Sequence, residues 1–571
     1  MAKGGEFVLP DAFDPDNTFT TYDLTDEQRI FRDALKEFMA REVLPQTDKI
    51  ESKEWDLTRK LLLQLGELGA LGVEVPEQYD GMGLDKTTAA IFAEEMGWQG
   101  SFACTVLATT GIGLLPILLF GTEEQKKRFI PGVVAGRLVG AYSLTEAGAG
   151  SDAKSIKTRA VLRDDGRAYI LNGEKMFVTN GGLADYYVVF AKVGEGAEIT
   201  AFIVERGFLG VRVGKEEHKM GILGSSTTSM GLDNVCVPLE NIVGEVGKGF
   251  NIALNILNLG RFKLGAACLG GARQCFGESL KYSRERKQFG LSIGAFGAIR
   301  QKLCRMAALI YGMEAIVYRT VGLIDTAINA VDKNDSKALM NAIREYAAEC
   351  SLVKIFCSEA DYEIATENVQ IHGGNGFMKD YPAERHLRDS VINMIFEGTN
   401  PVNRLVAVNE ALQRMAPFLM QEGKKIQGEL LSAPVLSDSS SDMVEVLKLQ
   451  VSGAKKALVA SGGGIFQKLG KKLADPDNQE VVILMAECLM YIYVLDSALA
   501  VFAKHKKERD GYLTRLLFHV FLPEIEKRVK SLIAMGSEGD EQRTLFTAVR
   551  KLFKYSPENI LFLDRKIAEN F

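Results

Sequence analysis

Several absences narrow the chemistry open to this 571-residue sequence. Its eight cysteines, at 104, 236, 268, 275, 304, 350, 357 and 488, are scattered, and none forms a Cys-x-x-Cys pair. This excludes a zinc ribbon or a dithiol redox pair and points to reduced, mostly buried thiols in a reducing compartment. The five histidines, at 218, 372, 386, 505 and 519, show no metal-ligand spacing, so no metal site is expected. Lysine and arginine number 68 against 74 acidic residues, a formal net charge of -6 with no basic block. Nucleic acid is therefore not an expected partner. The stretch "MAKGGEFVLPDAFDPDN" has neither an apolar signal core nor an Arg-rich amphipathic pattern, which points to a cytoplasmic, bacterial-type protein. A long apolar run, Val481 to Ala503, is broken by Glu487 and Asp496. Two acids in such a span are costly in lipid, so a buried helix is expected.

The pattern that is present divides the chain. "LTDEQRIFRDALKEFMAREVLP" carries apolar residues at Ile30, Phe31, Leu35, Phe38, Met39 and Val43, a helical period, with Thr25 as N-cap. Short β-rich runs such as "YILNGEKMFVTNG", "YYVVFAKV" and "ITAFIVER" follow from about residue 139. Long helical patterns return near 248, and "LLSAPVLSDSSSDM" reads as a linker. The expected fold is mainly α with an inserted β domain. It comprises an N-terminal helical domain (1–138), a β-barrel or sandwich (139–247), a helical bundle (248–410), a linker region (411–442) and an extra C-terminal helical domain (443–571).

Six segments can carry chemistry. "AYSLTEAGAGSD" offers the hydroxyls of Tyr142, Thr145 and Ser151 with Gly148 and Gly150 in between. Such a loop can bind an anionic or heteroaromatic ligand, although a Gly/Ser turn is most often only a turn. In "NGEKMFVTNGG", Phe177 and Thr179 share one strand face, able to stack on a planar ring and bond its edge, or to serve as core and edge residues. Arg261 stands among apolar neighbours in "LGRFKLGAA", either snorkelling to water or holding a polar chain. "SRERKQFG" holds Arg284, Arg286 and Lys287, a solvated helix end or a diphosphate contact. Gly373, Gly374 and Gly376 in "QIHGGNGF" follow a helix, so this is not a dinucleotide-binding Gly-x-Gly-x-x-Gly. In "INMIFEGTNPVNRL", Glu397 ends an apolar run with no cation within four residues: an exposed helix end or a buried base.

Taken in order, "YSLTEAGAGSD", "GEKMFVTNGG", "NILNLGRF", "RKQFG", "QIHGGNGF" and "IFEGTN" resemble the acyl-CoA dehydrogenase family from about residue 25 to 410. The C-terminal block, with "LLFGTEEQKKRFIP" and "ITAFIVERGF", resembles its very-long-chain branch. The resemblance implies FAD-dependent α,β-dehydrogenation of acyl-CoA to trans-2-enoyl-CoA in fatty-acid β-oxidation. Glu397 would be the base, its N–H would polarise the thioester oxygen, and the β-hydrogen would pass as hydride to flavin N5. FAD would lie against Tyr142, Leu144, Thr145, Ser151, Phe177, Thr179 and Thr399. Arg286, Phe289, Gln370, Gly373 and Gly374 would reach it from a homodimer partner. Ser151, Arg261 and Gly398 would meet the substrate.

Three departures stand out. Phe177 occupies a place where most members have Trp, and both tryptophans here, Trp55 and Trp98, lie far upstream. Pro401 replaces a polar or acidic residue. Gly260 stands where a minority of members place the base, which favours Glu397. Gly111 and Gly113, small and uncharged, suggest a deep tunnel for a long chain, with Pro116 bending the helix. The implied electron acceptor is an electron-transfer flavoprotein; an acyl-CoA oxidase using oxygen, or a scaffold protein on the same fold, are the alternatives. The segment "AVNEALQRMAPFLMQEGKKIQGELL" and the block after it either pack on the N-terminal helices and widen the dimer or offer a peripheral membrane contact.

Overall fold

A computed structural model describes residues 3–332, 335–432, 442–553 and 555–571. The first long helix, Asp26–Phe38, starts on a capping box. The Thr25 hydroxyl accepts from Gln28 N–H at 3.2 Å and the Gln28 side chain accepts from Thr25 N–H at 3.1 Å. Both orphan donors of the first turn are thus satisfied. Leu35, Phe38, Met39 and Val43 go into the core, whereas Ile30 is 69% exposed. The apolar stripe predicted from the sequence is one residue narrower: in the first turns Gln28 is the buried residue, bonded to Asp85 and Thr88, and Ile30 points to solvent.

The segment Gly100–Phe120 is helical throughout but changes form. Gly100–Leu107 is α-helical, Ala108–Gly113 widens into a π turn, and Leu115–Phe120 resumes the α form. The irregularity is the π turn; Pro116 lies in the first turn of the resumed helix, where its missing N–H is harmless.

The middle domain is an eight-stranded sheet: β1 Gly140–Ser143, β2 Arg159–Leu162, β3 Ala168–Thr179, β4 Tyr186–Val193, β5 Ile199–Glu205, β6 Val211–Glu216, β7 Thr227–Pro238 and β8 Ile242–Val243. The order is β6-β7-β3-β2-β4-β5-β8, and β1 also pairs with β4. β1 pairs in parallel with Tyr186–Val189 and β2 with Lys192–Val193, so the two lie end to end along one edge of β4. Both faces of β4 are buried. Tyr187, Val189 and Ala191 join the domain's own core, while Tyr186, Val188 and Phe190 join the helical core. The period-two alternation of a strand glues the sheet to the helices.

Beyond the sheet, Gly249–Glu285, Gly297–Asn329 and Ala347–His372 form a bundle. The helix starting at Asn400 runs to Ser432 through the segment read as linker from residue 411. Its apolar positions Ala407, Val408, Ala411, Met415 and Ile426 are buried, which sustains a helix with Pro417 inside it. Residues 433–441 of the expected linker lie outside the described residues.

The C-terminal helices Met443–Leu469, Gln479–His505 and Glu508–Gly536 dock on the bundle. A buried ion triad fixes the junction: Asp496 bonds Arg319 at 2.8 Å and Lys455 at 2.5 Å. Residues before Asp26 also reach this block. Phe7 meets Tyr493 with ring centres 4.6 Å apart, and Lys504 pairs with Asp23 at 2.8 Å. Of the two readings of this block, packing is the one the described residues display, on the bundle and on the N-terminal arm. Among the described residues, four helical segments are long and apolar enough to cross a membrane, but 72% to 89% of their most apolar windows is buried inside the protein.

Candidate active site

The helix Ala383–Asn393 ends just before Glu397, and the next begins at Asn400. Between them the chain reverses through two left-handed residues, Glu397 at φ +58° and Gly398 at φ +86°. Glycine adopts this freely; glutamate does so at a cost of about 1 kcal/mol or more. Three side chains hold the turn. Lys354 Nζ donates to the Gly398 carbonyl at 2.9 Å and to Asn400 Oδ1 at 2.5 Å. Asn403 Nδ2 donates to the Gly398 carbonyl at 2.7 Å and Arg261 Nε to the Glu397 carbonyl at 3.4 Å.

The turn aims the Glu397 side chain into a cleft of about 970 Å³, open mouth included. Glu397 Oε2 is buried without a hydrogen-bond partner among the described residues. Burial pushes this carboxyl up to about 7, against the pull of Arg261, Lys354 and Lys263. Gly260 is part of the geometry: a Cβ there would stand 2.8 Å from the Glu397 carboxylate oxygens. Any side chain at 260 would occupy the place the Glu397 carboxylate takes. Lys263 lines the same cleft and is neutralised by Glu74, which also pairs with Lys86 at 2.6 Å.

From the β domain, Thr179 and Ile222 line the cleft, and the ends of β1 and β3 lie beside it. Tyr142 on β1 packs on Phe190 with ring centres 4.8 Å apart, and its hydroxyl is buried without a partner among the described residues. Burial and the Glu397 charge push that phenol upward. Met176 N–H donates to the Thr145 carbonyl at 2.9 Å, joining the loop after β1 to the end of β3. Lys175, fully buried, donates to the Leu144 carbonyl at 3.1 Å and pairs with Glu146 at 2.8 Å. At the end of β3, Phe177 is 60% exposed at φ +54°, and Thr179 lines the cleft.

Other residues singled out from the sequence lie differently. Arg261 is one residue past Gly260, so the helix turns it about 100° away from the cleft. It bonds Asn258 at 2.8 Å as well as the Glu397 carbonyl, and holds the turn instead of facing the substrate space. The Gly398 carbonyl is likewise used by Lys354 and Asn403. The Thr399 hydroxyl accepts from Val402 N–H at 3.4 Å. Ser151 is exposed on its loop. Arg286, Phe289, Gln370, Gly373 and Gly374 are exposed and none lines the cleft. Gly113 is not in the lining either: a Cβ there would stand 2.8 Å from the Gly140 carbonyl carbon, so it serves contact with β1. Gly111, Ala108 and Cys104 of this segment line the cleft instead. Lys354, Lys263 and Asn403 escaped the sequence reading; Lys354 left a signal, as a lone cation in the apolar run "SLVKIFCSEA".

Family models for the acyl-CoA dehydrogenase N-terminal domain match residues 25–137, the middle domain 141–235, and C-terminal domains 247–412 and 453–551. The chain is 41% identical over 583 residues to a probable acyl-CoA dehydrogenase of Bacillus subtilis, covering 100% of this chain and 97% of that one. It is 40% identical over 415 residues to the very long-chain specific acyl-CoA dehydrogenase of Homo sapiens, covering 71% of this chain and 60% of that one. The crystal structure of an acyl-CoA dehydrogenase complexed with FAD from Bacillus anthracis superposes with a TM-score of 0.96 at 40% identity, covering 100% of this chain and 98% of that one. The walls described above suit a flavin. The unpartnered Tyr142 hydroxyl, the exposed Phe177 ring beside Thr179 and the open space over Gly148 and Gly150 leave room and bonding groups for a planar heteroaromatic ligand. The chain belongs to the acyl-CoA dehydrogenase family, FAD-dependent oxidoreductases of fatty-acid oxidation that act on CH–CH bonds.

Proposed function

We propose that this acyl-CoA dehydrogenase takes long-chain substrates and that Glu397 is its base. The observation that carries the reading is the buried, unpartnered Glu397 Oε2 facing a cleft walled by Gly100, Ala103, Ala108, Gly111 and Ala267. The α-proton of a thioester is weakly acidic, so a base poised near neutrality and a donor to the thioester oxygen are needed. Glu397 Oε2 receives the α-proton. The Glu397 N–H has no backbone acceptor among the described residues and is free to bond the thioester oxygen. Lys354, Asn403 and Arg261 fix both groups before substrate arrives, which lowers the cost of orientation. Bound FAD supplies the acceptor for the β-hydrogen, taken up as hydride, and the product is a trans-2-enoyl-CoA.

Tyr142, Leu144, Thr145, Ser151, Phe177, Thr179 and Thr399 hold the flavin in this reading. The exposed Arg286, Phe289, Gln370, Gly373 and Gly374 complete the site of a second copy in a homodimer. Phe289 at 92% exposure, on a hairpin that projects from the bundle, supports that role, since a ring so placed is covered only by something outside the chain. Electrons leave to an electron-transfer flavoprotein.

Anaerobic bleaching of the flavin across an acyl-CoA series tests the reading. Native enzyme should bleach fastest with long chains, and Glu397→Gln should bleach about 10²- to 10⁴-fold more slowly. Normal bleaching by Glu397→Gln would remove Glu397 as base, and a short-chain optimum would remove the long-chain assignment. One peroxide per turnover in air would make the protein an oxidase.

A further inference from the structure

The cleft continues well beyond Glu397. Along the unbroken Gly249–Glu285 helix it is lined by Gly260, Lys263, Leu264, Ala267 and Gly271. Gly260 and Gly271 are eleven residues apart, close to three whole turns, so they share one face and lie about 16 Å apart along the axis. Gly260 abuts the Glu397 carboxylate. At Gly271 a Cβ would stand 3.4 Å from Asp361 Oδ1. One end of the cavity is therefore the reacting centre and the other is Asp361.

That far end is polar. Asp361, His386, Asp389 and Asn393 all line it. Three of these groups are engaged with partners. Asn393 Nδ2 donates to Asp361 Oδ2 at 3.0 Å, Ile222 N–H donates to Asp389 Oδ1 at 2.5 Å, and His386 Nε2 lies 3.1 Å from Glu278 Oε1. Asp361 Oδ1 accepts no hydrogen bond among the described residues, although Asp361 is only 5% exposed. That oxygen is not among the buried atoms without a partner; it opens on the cavity beside Gly271, where water reaches it in the empty site. An apolar chain end brought against it would dry it further.

We propose that the far end of the cavity is a polar subsite for an acyl chain bearing a hydroxyl at its ω-end, with that hydroxyl donating to Asp361 Oδ1. The proposal rests on the reading of the Glu397 cleft as the acyl tunnel. Extended carbon chains advance about 1.3 Å per bond of about 1.5 Å, so about 16 Å holds a dozen carbons between the α-carbon and the chain end. The hydroxyl fits the vacancy, since it donates and carries no charge. An ω-carboxylate would face the oxygens of Asp361 and Asp389. A methyl-ended chain of the same length leaves Asp361 Oδ1 unpaired, the situation in which a polar site discriminates most strongly.

The test uses FAD-loaded holoenzyme and three probes: butyryl-CoA, a methyl-ended acyl-CoA of about fourteen carbons, and its ω-hydroxy counterpart. At about pH 8, where Asp361, pushed up to about 7 by burial, is ionised, native enzyme should favour the ω-hydroxy chain over the methyl-ended one about tenfold in kcat/KM, as a hydrogen bond to a charged group allows. Asp361→Ala should bring that ratio to about one and raise the methyl-ended chain relative to butyryl-CoA. Asp361→Asn, which keeps an acceptor oxygen, should retain most of the preference. Each ratio is taken within one preparation, so a change in the folded fraction cancels, and flavin absorbance checks loading. Calorimetric binding of the two long ligands to Glu397→Gln enzyme should reproduce the same ratio without turnover. A ratio of one in native enzyme, or a native preference that survives in Asp361→Ala, overturns the polar subsite. Failure of all three probes in native enzyme overturns the acyl-tunnel reading, whereas turnover of butyryl-CoA with a ratio of one removes the subsite alone.

Discussion

Glu397 holds a backbone conformation that favours glycine, with a carboxylate that favours water, and the chain spends buried cations to keep it so. Its acidity near 7 sets the pH dependence of proton abstraction. The carboxyl must be ionised to act, so kcat/KM should rise with pH on a limb centred near 7 and level off above it. A limb centred near 4 would mean that the acid is not desolvated. Glu397→Gln should lower the flavin reduction rate by about 10²- to 10⁴-fold while acyl-CoA still binds, measured by stopped flow. Gly260→Ala tests the contact from the other side. Its methyl would sit 2.8 Å from the carboxylate, and displacement of the base by about 1 Å should cost about a hundredfold in kcat. Neither the positive φ nor the Gly260 contact could be read from the string. The lone acid at the end of an apolar run could, because no cation lies near it in sequence.

At the scale of elements, the turn between Ala383–Asn393 and the helix beginning at Asn400 is shaped by side chains from two other helices. Lys354 is the main one. Burial lowers its pKa to about 8, and its charge in turn lowers that of Glu397. Lys354→Met should therefore shift the rising limb of the pH profile to higher pH and reduce kcat more than KM, a split that simple loss of folded protein would not produce. An unshifted limb would show that Lys354 does not act on Glu397. The Gly100–Phe120 segment teaches a different lesson. Its two glycines looked equivalent, yet the π turn places Gly111 in the cavity and Gly113 against β1. Which face a residue takes inside a π turn depends on the local gain of one residue per turn, and hydrophobic periodicity does not report it.

For the whole molecule, the junction between the C-terminal helices and the bundle turns on one buried carboxylate. Asp496 is fully buried and is held well ionised by Lys455 and Arg319 despite desolvation. Asp496→Ala would leave two buried cations without their anion and should cost about 3–5 kcal/mol in denaturant unfolding, with the C-terminal helices becoming the first site of limited proteolysis. Unchanged stability would show that the helices dock through apolar packing alone. The acid that argued from sequence against a membrane span is thus the one that anchors the helix inside the protein. Such an acid is tolerated in an apolar helix because its partners arrive from helices distant in sequence.

The sequence by itself determined the order of helical, β and helical parts, the helix cap at Thr25, and the family, through six short motifs in fixed order. These are local properties: period, turn chemistry and residue type over a dozen positions. Only the tertiary structure decided that Arg261 braces the turn, that Lys354 and Asn403 share the task, that residue 411 onwards continues a helix, and that the cavity beside Glu397 ends at Asp361. The Arg261 and Lys354 contacts join groups far apart in the chain, 136 positions for Arg261 and Glu397 and 44 for Lys354 and Gly398. Packing and desolvation act between such groups, and neither leaves a period in the sequence.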